Sequence, residues 1–146
     1  MWGTCMLLFF VFVILIPVFD QIIKFWVRNN LNEGYLFSTS IPFLKITHIK
    51  NFGAALGIFD GGKHFFIFIS IAIIFALLYL ILIKKTRGQI FVLASSFVIG
   101  GGIGNLVDRI FFGYVTDYLK LSFFPPVCNI SDYFIALGII LLAFNL

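Results

Sequence analysis

Charged residues are scarce in this 146-residue chain, at 11% of all residues, whereas apolar residues make up 62%. Soluble domains carry about 25% charged residues, so the composition predicts a protein whose main solvent is lipid. The formal net charge is +4. However, the basic residues form no helical stripe or aromatic-interleaved patch, which disfavours nucleic-acid binding. We expect the excess of positive charge to interact with anionic membrane lipid.

Cysteine is also scarce, and several catalytic motifs are missing. Cys5 and Cys128 lie at opposite ends of the chain, and the predicted topology puts a bilayer between them, so no disulfide framework or CxxC metal site is indicated. The sequence has no HExxH zinc motif, P-loop, dinucleotide fingerprint, or serine paired with a helix-borne histidine. Gly102-Ile103-Gly104-Asn105 also differs from the Gly-x-Gly-Asp of one class of membrane aspartyl protease.

Four apolar segments are long enough, or nearly long enough, to cross a bilayer, which takes about 20 residues. They cover about residues 5–26, 64–83, 89–112 and 129–146. The stretch between the first two, about 29–63, alternates like a strand and predicts a small extramembrane β element. We therefore predict an all-α membrane protein: one domain, 1–146, with four transmembrane helices and a β-cradle between helices one and two.

The distribution of basic residues bears on orientation. Lys84, Lys85 and Arg87 form a short basic turn that favours the cytoplasmic side, which would place both termini in the cytoplasm. The opposite loop holds more basic residues over a greater length, so the count alone leaves the orientation open.

Acidic residues are concentrated at the apolar segments. Only six exist, and Asp20, Asp108, Asp117 and Asp132 all lie in or beside predicted spans. A charge at the bilayer centre costs at least about 2.5–3.5 kcal/mol on insertion scales, so such residues are usually paired or functional. Asp20 and Lys24 are one helical turn apart, which predicts an ion pair at a helix end.

The third segment carries a polar cluster at helical spacing. Asn105, Asp108 and Arg109 share one face. Gly100 and Gly104 form a small-xxx-small pattern that predicts a helix-packing seam. Packing explains the glycines, but it does not explain an amide and an ion pair.

Two aspartates are candidates for a catalytic pair. Asn129 and Asp132 have the spacing of a helix N-cap and the third helical residue, so capping alone would explain them. Asp117, in an apolar and aromatic stretch, has no local partner except Lys120. If the intervening loop folds back, Asp117 and Asp132 would share one proton and activate a water molecule without a metal. A proton or ion transporter, or a non-enzymatic assembly subunit, are the alternatives.

Five short motifs occur in order along the chain. They are Asp20-Gln21-x-x-Lys24, Asn51-x-Gly53-Ala54-Ala55, Gly101-x-x-Gly104-Asn105-x-x-Asp108-Arg109, Val115-x-Asp117 and Asn129-x-x-Asp132. Taken together, they closely resemble the motifs of the lipoprotein signal peptidases, also called signal peptidase II.

The resemblance implies a monomeric aspartic endopeptidase of the bacterial inner membrane, with its active site near the outer face. Its substrates would be diacylglyceryl-modified prolipoproteins, cleaved just before the lipidated cysteine. The family also implies sensitivity to globomycin-like cyclic peptides and no cofactor or metal.

The motif matches assign roles to individual residues. Asp117 and Asp132 would be the catalytic pair, and Asp20 and Lys24 would support the structure. The remaining matches, which would bind substrate or position the pair, are Asn51, Gly53, Ala55, Gly101, Gly104, Asn105, Asp108, Arg109, Val115 and Asn129.

Three residues depart from the family pattern. Cys128 stands where Phe is usual, Ser131 where Ala is usual, and Leu56 where Phe often follows Gly-Ala-Ala. Ser131 is expected to add a hydrogen bond to the neighbouring Asp132.

Overall fold

The computed structural model describes residues 2–53, 62–83 and 88–144, and these contain four long helices. The helices are Trp2–Asn30 (α1), Lys63–Leu82 (α2), Gln89–Phe111 (α3) and Ile130–Phe144 (α4). α1, α2 and α3 are long and apolar enough to cross a membrane, and α4 is a shorter apolar helix of 15 residues. The predicted helices are present, and the fourth membrane crossing stays a prediction. The basic turn at residues 84–87 lies outside the described residues, so the orientation also stays a prediction.

α3 is the central helix, since α1, α2 and α4 all pack against it. Because α3 faces protein on several sides, it can carry Ser, Gly and Asn that a lipid-facing helix would leave in hydrocarbon. An apolar core cluster joins Phe9 of α1, Leu77 and Ile81 of α2, and Val92 and Ile99 of α3.

An antiparallel sheet of four strands lies at one end of the helices. Its strands are Leu36–Ser38 (β1), Leu44–Asn51 (β2), Val115–Leu121 (β3) and Val127–Cys128 (β4), adjacent in that order. The placement of the β element between helices one and two is therefore half wrong, because β3 and β4 belong to the connection between α3 and α4. The first four residues of β3 are all buried, so no alternation between polar and apolar residues marked it as a strand.

The strand register positions two motifs side by side. Asn51 pairs with Val115 and Ile49 with Asp117, after a bulge between Ile46 and Ile49. Cross-strand partners share a face of the sheet. β4 runs almost directly into α4, which brings Asp132 to the same end of the molecule.

Glycines allow α3 to approach two neighbours closely. A Cβ at Gly101 would overlap the carbonyl oxygen of Ser131, and one at Gly104 would overlap the Ser131 hydroxyl, so both face α4. A Cβ at Gly100 would lie 3.0 Å from the Phe12 carbonyl oxygen of α1. A Cβ at Gly104 would also lie 3.0 Å from an Asp20 carboxylate oxygen of α1, so the predicted seam of Gly100 and Gly104 is present along α1, and Gly104 contacts α4 in addition.

We predict that Gly101→Ala destabilises the protein by about 1–3 kcal/mol, because backbone atoms of α4 must move to accommodate the methyl group. Gly102→Ala is the matched control, since its Cβ would make an ordinary 3.7 Å contact with Ile74. Thermal unfolding in detergent compares the two. Equal melting temperatures for the two variants would contradict the close α3–α4 approach.

Candidate active site

A buried ion cluster joins α1 to α3. The Lys24 ammonium lies 2.7 Å from Asp20 and 3.3 Å from Asp108, and the Arg28 guanidinium lies 3.2 Å from the other oxygen of Asp108. Both carboxylates are fully buried. Two cations therefore balance two anions inside the helix bundle, which is the arrangement that buried charges require.

The cluster contains the expected Asp20–Lys24 pair and corrects a second expectation. Asp108 forms its ion pairs with α1, not with the adjacent Arg109. Arg109 instead donates a hydrogen bond to the Gly53 carbonyl oxygen at 3.3 Å and lies over the Phe66 ring. Arg28 was not assigned to the site from the sequence, because the first apolar segment was predicted to end near residue 26, whereas α1 runs to Asn30. The Lys24–Arg28 spacing of one helical turn was the available signal.

Asp117 and Asp132 are held by neutral groups. Asp117 accepts hydrogen bonds from the side-chain amides of Asn51 (2.8 Å) and Asn129 (2.7 Å). Asp132 accepts from the Asn105 amide at 2.7 Å and from the Asn129 backbone N–H at 3.1 Å. Neither aspartate forms an ion pair with any residue that the structure describes. Because Asn129 contacts both carboxylates, it brings them to one site.

Asn129 also caps α4. Its side-chain oxygen accepts the Asp132 backbone N–H at 2.9 Å, and the Asp132 carboxylate accepts the Asn129 backbone N–H at 3.1 Å. This reciprocal pair is a capping box. Asn129 therefore has both the capping role inferred from the sequence and a place in the candidate site.

Asn105 connects the ion cluster to Asp132. Its side-chain oxygen accepts from the Lys24 ammonium at 2.9 Å. That bond leaves the amide nitrogen, the donating atom, facing Asp132. The cation thus fixes which end of the amide reaches the carboxylate.

A cavity of about 380 Å³ contains both aspartates. Asn51, Gly53, Arg109 and Val115 line it beside them, and apolar side chains of α2 and α4 form much of the remaining wall. Among the described residues, no group of three or more His, Cys, Asp or Glu side chains is placed to hold a metal ion.

Three other predicted site residues, Asp108, Gly101 and Gly104, lie outside the cavity lining. Asp108 accepts the Thr116 backbone N–H at 2.8 Å, which holds the strand just before Asp117. Gly101 and Gly104 lie at the α3–α4 contact. Ala55 and Leu56 lie outside the described residues.

Two polar residues near the site have hydrogen-bond partners that the sequence did not predict. Gln21 donates to the Gly104 carbonyl oxygen (2.9 Å) and to Asp108 (2.8 Å). The hydroxyl of Ser131 donates to Asp20 at 2.7 Å. The expected bond from Ser131 to Asp132 is therefore wrong, because the side chains of consecutive helical residues diverge by about 100°.

Burial raises the pKa of Asp117 from 3.8 to about 7, and the charge of Asp132 adds to this effect. The hydrogen bonds from Asn51 and Asn129 oppose the rise in pKa because they favour the ionised form. Asp117 can therefore hold or release a proton near neutral pH, as general acid–base chemistry requires.

Cys128 lines the same cavity. Burial and the nearby carboxylates raise the pKa of its thiol to about 11. The thiol is therefore protonated near neutral pH and is a poor nucleophile.

This chain is similar to known proteins along almost its whole length. The family model described as Signal peptidase (SPase) II matches residues 11–146. The lipoprotein signal peptidase of Halothermothrix orenii is 39% identical over 139 residues, covering 91% of this chain and 90% of that protein. That of Staphylococcus aureus is 36% identical, covering 96% and 85%.

A solved structure is also similar. It is described as a bacterial membrane enzyme structure at 2.3 Å resolution and has a TM-score of 0.87 and 31% sequence identity. The match covers 97% of this chain and 86% of the other.

We predict that Asp132→Asn lowers the pKa of Asp117, because it removes a neighbouring negative charge that favours protonation. Carboxyl ¹³C NMR of aspartate-labelled protein measures the titration, with Asp117→Asn identifying the signal. Glu33→Gln, which changes a surface carboxylate paired with Lys50, should leave the Asp117 titration unchanged. A pKa that stays the same or rises in Asp132→Asn would show that the two carboxylates do not interact.

Proposed function

This chain belongs to the signal peptidase II family, and from that premise we propose that it is a membrane aspartic endopeptidase. It would remove the signal peptide from diacylglyceryl-modified prolipoproteins by cleaving before the lipidated cysteine. The observation that carries this proposal is the pair formed by Asp117 and Asp132. Both line one cavity, both bind Asn129, and neither is neutralised by a cation within the described part of the chain.

The proposed chemistry uses one proton shared by the two carboxyl groups, since neighbouring carboxylates resist simultaneous ionisation. The ionised carboxylate takes a proton from a water molecule, whose oxygen attacks the scissile carbonyl carbon. The protonated carboxyl then donates its proton as the C–N bond breaks and the amine leaves. The near-neutral pKa of Asp117 supports this exchange of roles. The assignment of the shared proton belongs to the pair.

The cavity walls suit a substrate that is part peptide and part lipid. Polar groups of Asn51, Gly53 and Arg109 lie on the side of the sheet, where they would hold the substrate backbone. The walls from α2 and α4 are mostly apolar, which supports entry of a lipid-modified segment from the bilayer. The acyl chains would then stay in lipid while the scissile bond reaches the aspartates.

The helix directions support a site near one membrane surface. α1 and α3 end at the sheet, whereas α2 and α4 begin there. If α4 also crosses the bilayer, both chain ends lie on the opposite side from the site. With cytoplasmic termini, as the basic turn predicts, the site faces the outer side of the bacterial cytoplasmic membrane.

We predict that Asp117→Asn and Asp132→Asn each reduce cleavage by at least about 10³-fold, because each removes one member of the acid–base pair. The assay uses purified protein in detergent with a diacylglyceryl-modified prolipoprotein, and mass spectrometry locates the cut. Glu33→Gln removes an exposed carboxylate and should cleave like wild type.

Wild-type protein that does not cleave this substrate would contradict the proposed peptidase and favour a proton or ion transporter. Full activity in either aspartate variant, with wild type active, would contradict the pair.

We also predict that a globomycin-like cyclic peptide inhibits wild-type cleavage competitively, because it would occupy the cavity beside both carboxylates. The apparent KM should rise with inhibitor concentration while kcat stays constant. Inhibition that lowers kcat alone would place the inhibitor elsewhere.

A further inference from the structure

The immediate neighbours of both candidate catalytic residues bind one carboxylate on a third element. Tyr118 follows Asp117 on β3, and Ser131 precedes Asp132 on α4. The Tyr118 hydroxyl donates to one Asp20 oxygen at 2.9 Å, and the Ser131 hydroxyl donates to the other at 2.7 Å. Asp20 belongs to α1 and lies outside the cavity lining.

The Tyr118 hydroxyl makes a second contact that fixes α4. It accepts the backbone N–H of Ile130, the first residue of α4, at 3.2 Å. This N–H is one of the helix-terminal donors that lack an intrahelical partner. Burial, together with Asp20, raises the pKa of the phenol above its usual value, so the hydroxyl keeps its proton and remains a donor.

Asp20 is a rigid point of attachment. Its carboxylate is fully buried and lies 2.7 Å from the Lys24 ammonium, so it is held in place from its own helix. A Cβ on Gly104 would lie 3.0 Å from Asp20 and would overlap the Ser131 hydroxyl, so glycine leaves the room that these contacts need. Hydrogen bonds to a buried carboxylate are shorter and stronger than bonds between neutral groups.

We propose that Tyr118 and Ser131 are positioning residues that set the separation of Asp117 and Asp132 through their common attachment to Asp20. This inference rests on the proposed peptidase function. Catalytic groups must be held within about 0.5 Å of their working geometry. Because Asp117 lies on β3 and Asp132 on α4, the geometry of either element alone does not fix their separation. The two hydroxyls add a restraint from outside the cavity lining to the one that Asn129 provides.

The test measures kcat and KM for Tyr118→Phe and Ser131→Ala with the lipid-modified substrate. Each variant should lower kcat about tenfold and change KM by less than about twofold, because the geometry of the pair changes and the substrate contacts do not. The pH–rate profile should also narrow, since carboxylates that move apart repel each other less. Tyr35→Phe and Ser40→Ala, which change exposed residues, should match wild type.

The inference would be overturned if kcat were unchanged in both variants, including the case in which only KM rises. Asp117→Asn in the same assay separates the peptidase function from the positioning role. If wild type cleaves and Asp117→Asn does not, the peptidase function is supported whatever Tyr118→Phe and Ser131→Ala show. Amide hydrogen exchange at Ile130 needs no activity and should quicken in Tyr118→Phe. If Tyr118→Phe does not fold, Ser131→Ala decides the outcome, since it removes the other hydroxyl bound to Asp20 and leaves Tyr118 unchanged.

Discussion

The interaction on which the rest of the structure depends is the burial of the Lys24 ammonium among Asp20, Asp108 and Asn105. Removing one partner from a buried ion cluster typically costs about 3–5 kcal/mol, because the remaining charge is left without compensation. Here the loss would also separate α1 from α3 and release the Asn105 amide that faces Asp132. One cation thus joins helix packing to the orientation of a site residue.

Four aspartates of the described residues lie at one end of the bundle, and their partners divide them into two classes. Asp20 and Asp108 are neutralised by Lys24 and Arg28, so they serve the structure. Asp117 and Asp132 receive hydrogen bonds from neutral amide groups instead. These amide donors favour the ionised form, but burial and the charge of Asp132 outweigh them, so Asp117 can exchange a proton near neutral pH. The same residue type therefore performs two tasks in one buried region.

The sheet unites the two parts of the site. Strands from the α1–α2 connection pair with strands from the α3–α4 connection, so Asn51 on β2 reaches Asp117 on β3. β4 then leads into the capped start of α4, where Asn129 contacts both aspartates. The close approach of α4 to α3 at Gly101 and Gly104 completes the arrangement. Sheet register and helix packing must both be correct for the two carboxylates to meet.

The sequence alone determined the helices, the concentration of aspartates at their ends, the capping of α4 and the family, because hydropathy, local spacing and ordered motifs are properties of neighbouring residues. It did not reveal β3, whose first residues are buried on both faces, or the contact that Gly104 makes with α4 in addition to α1. Nor did it show that Ser131 and Tyr118 bind Asp20. Those partners lie on separate elements, and only the tertiary packing of α1, α3, α4 and the sheet brings them within hydrogen-bond distance.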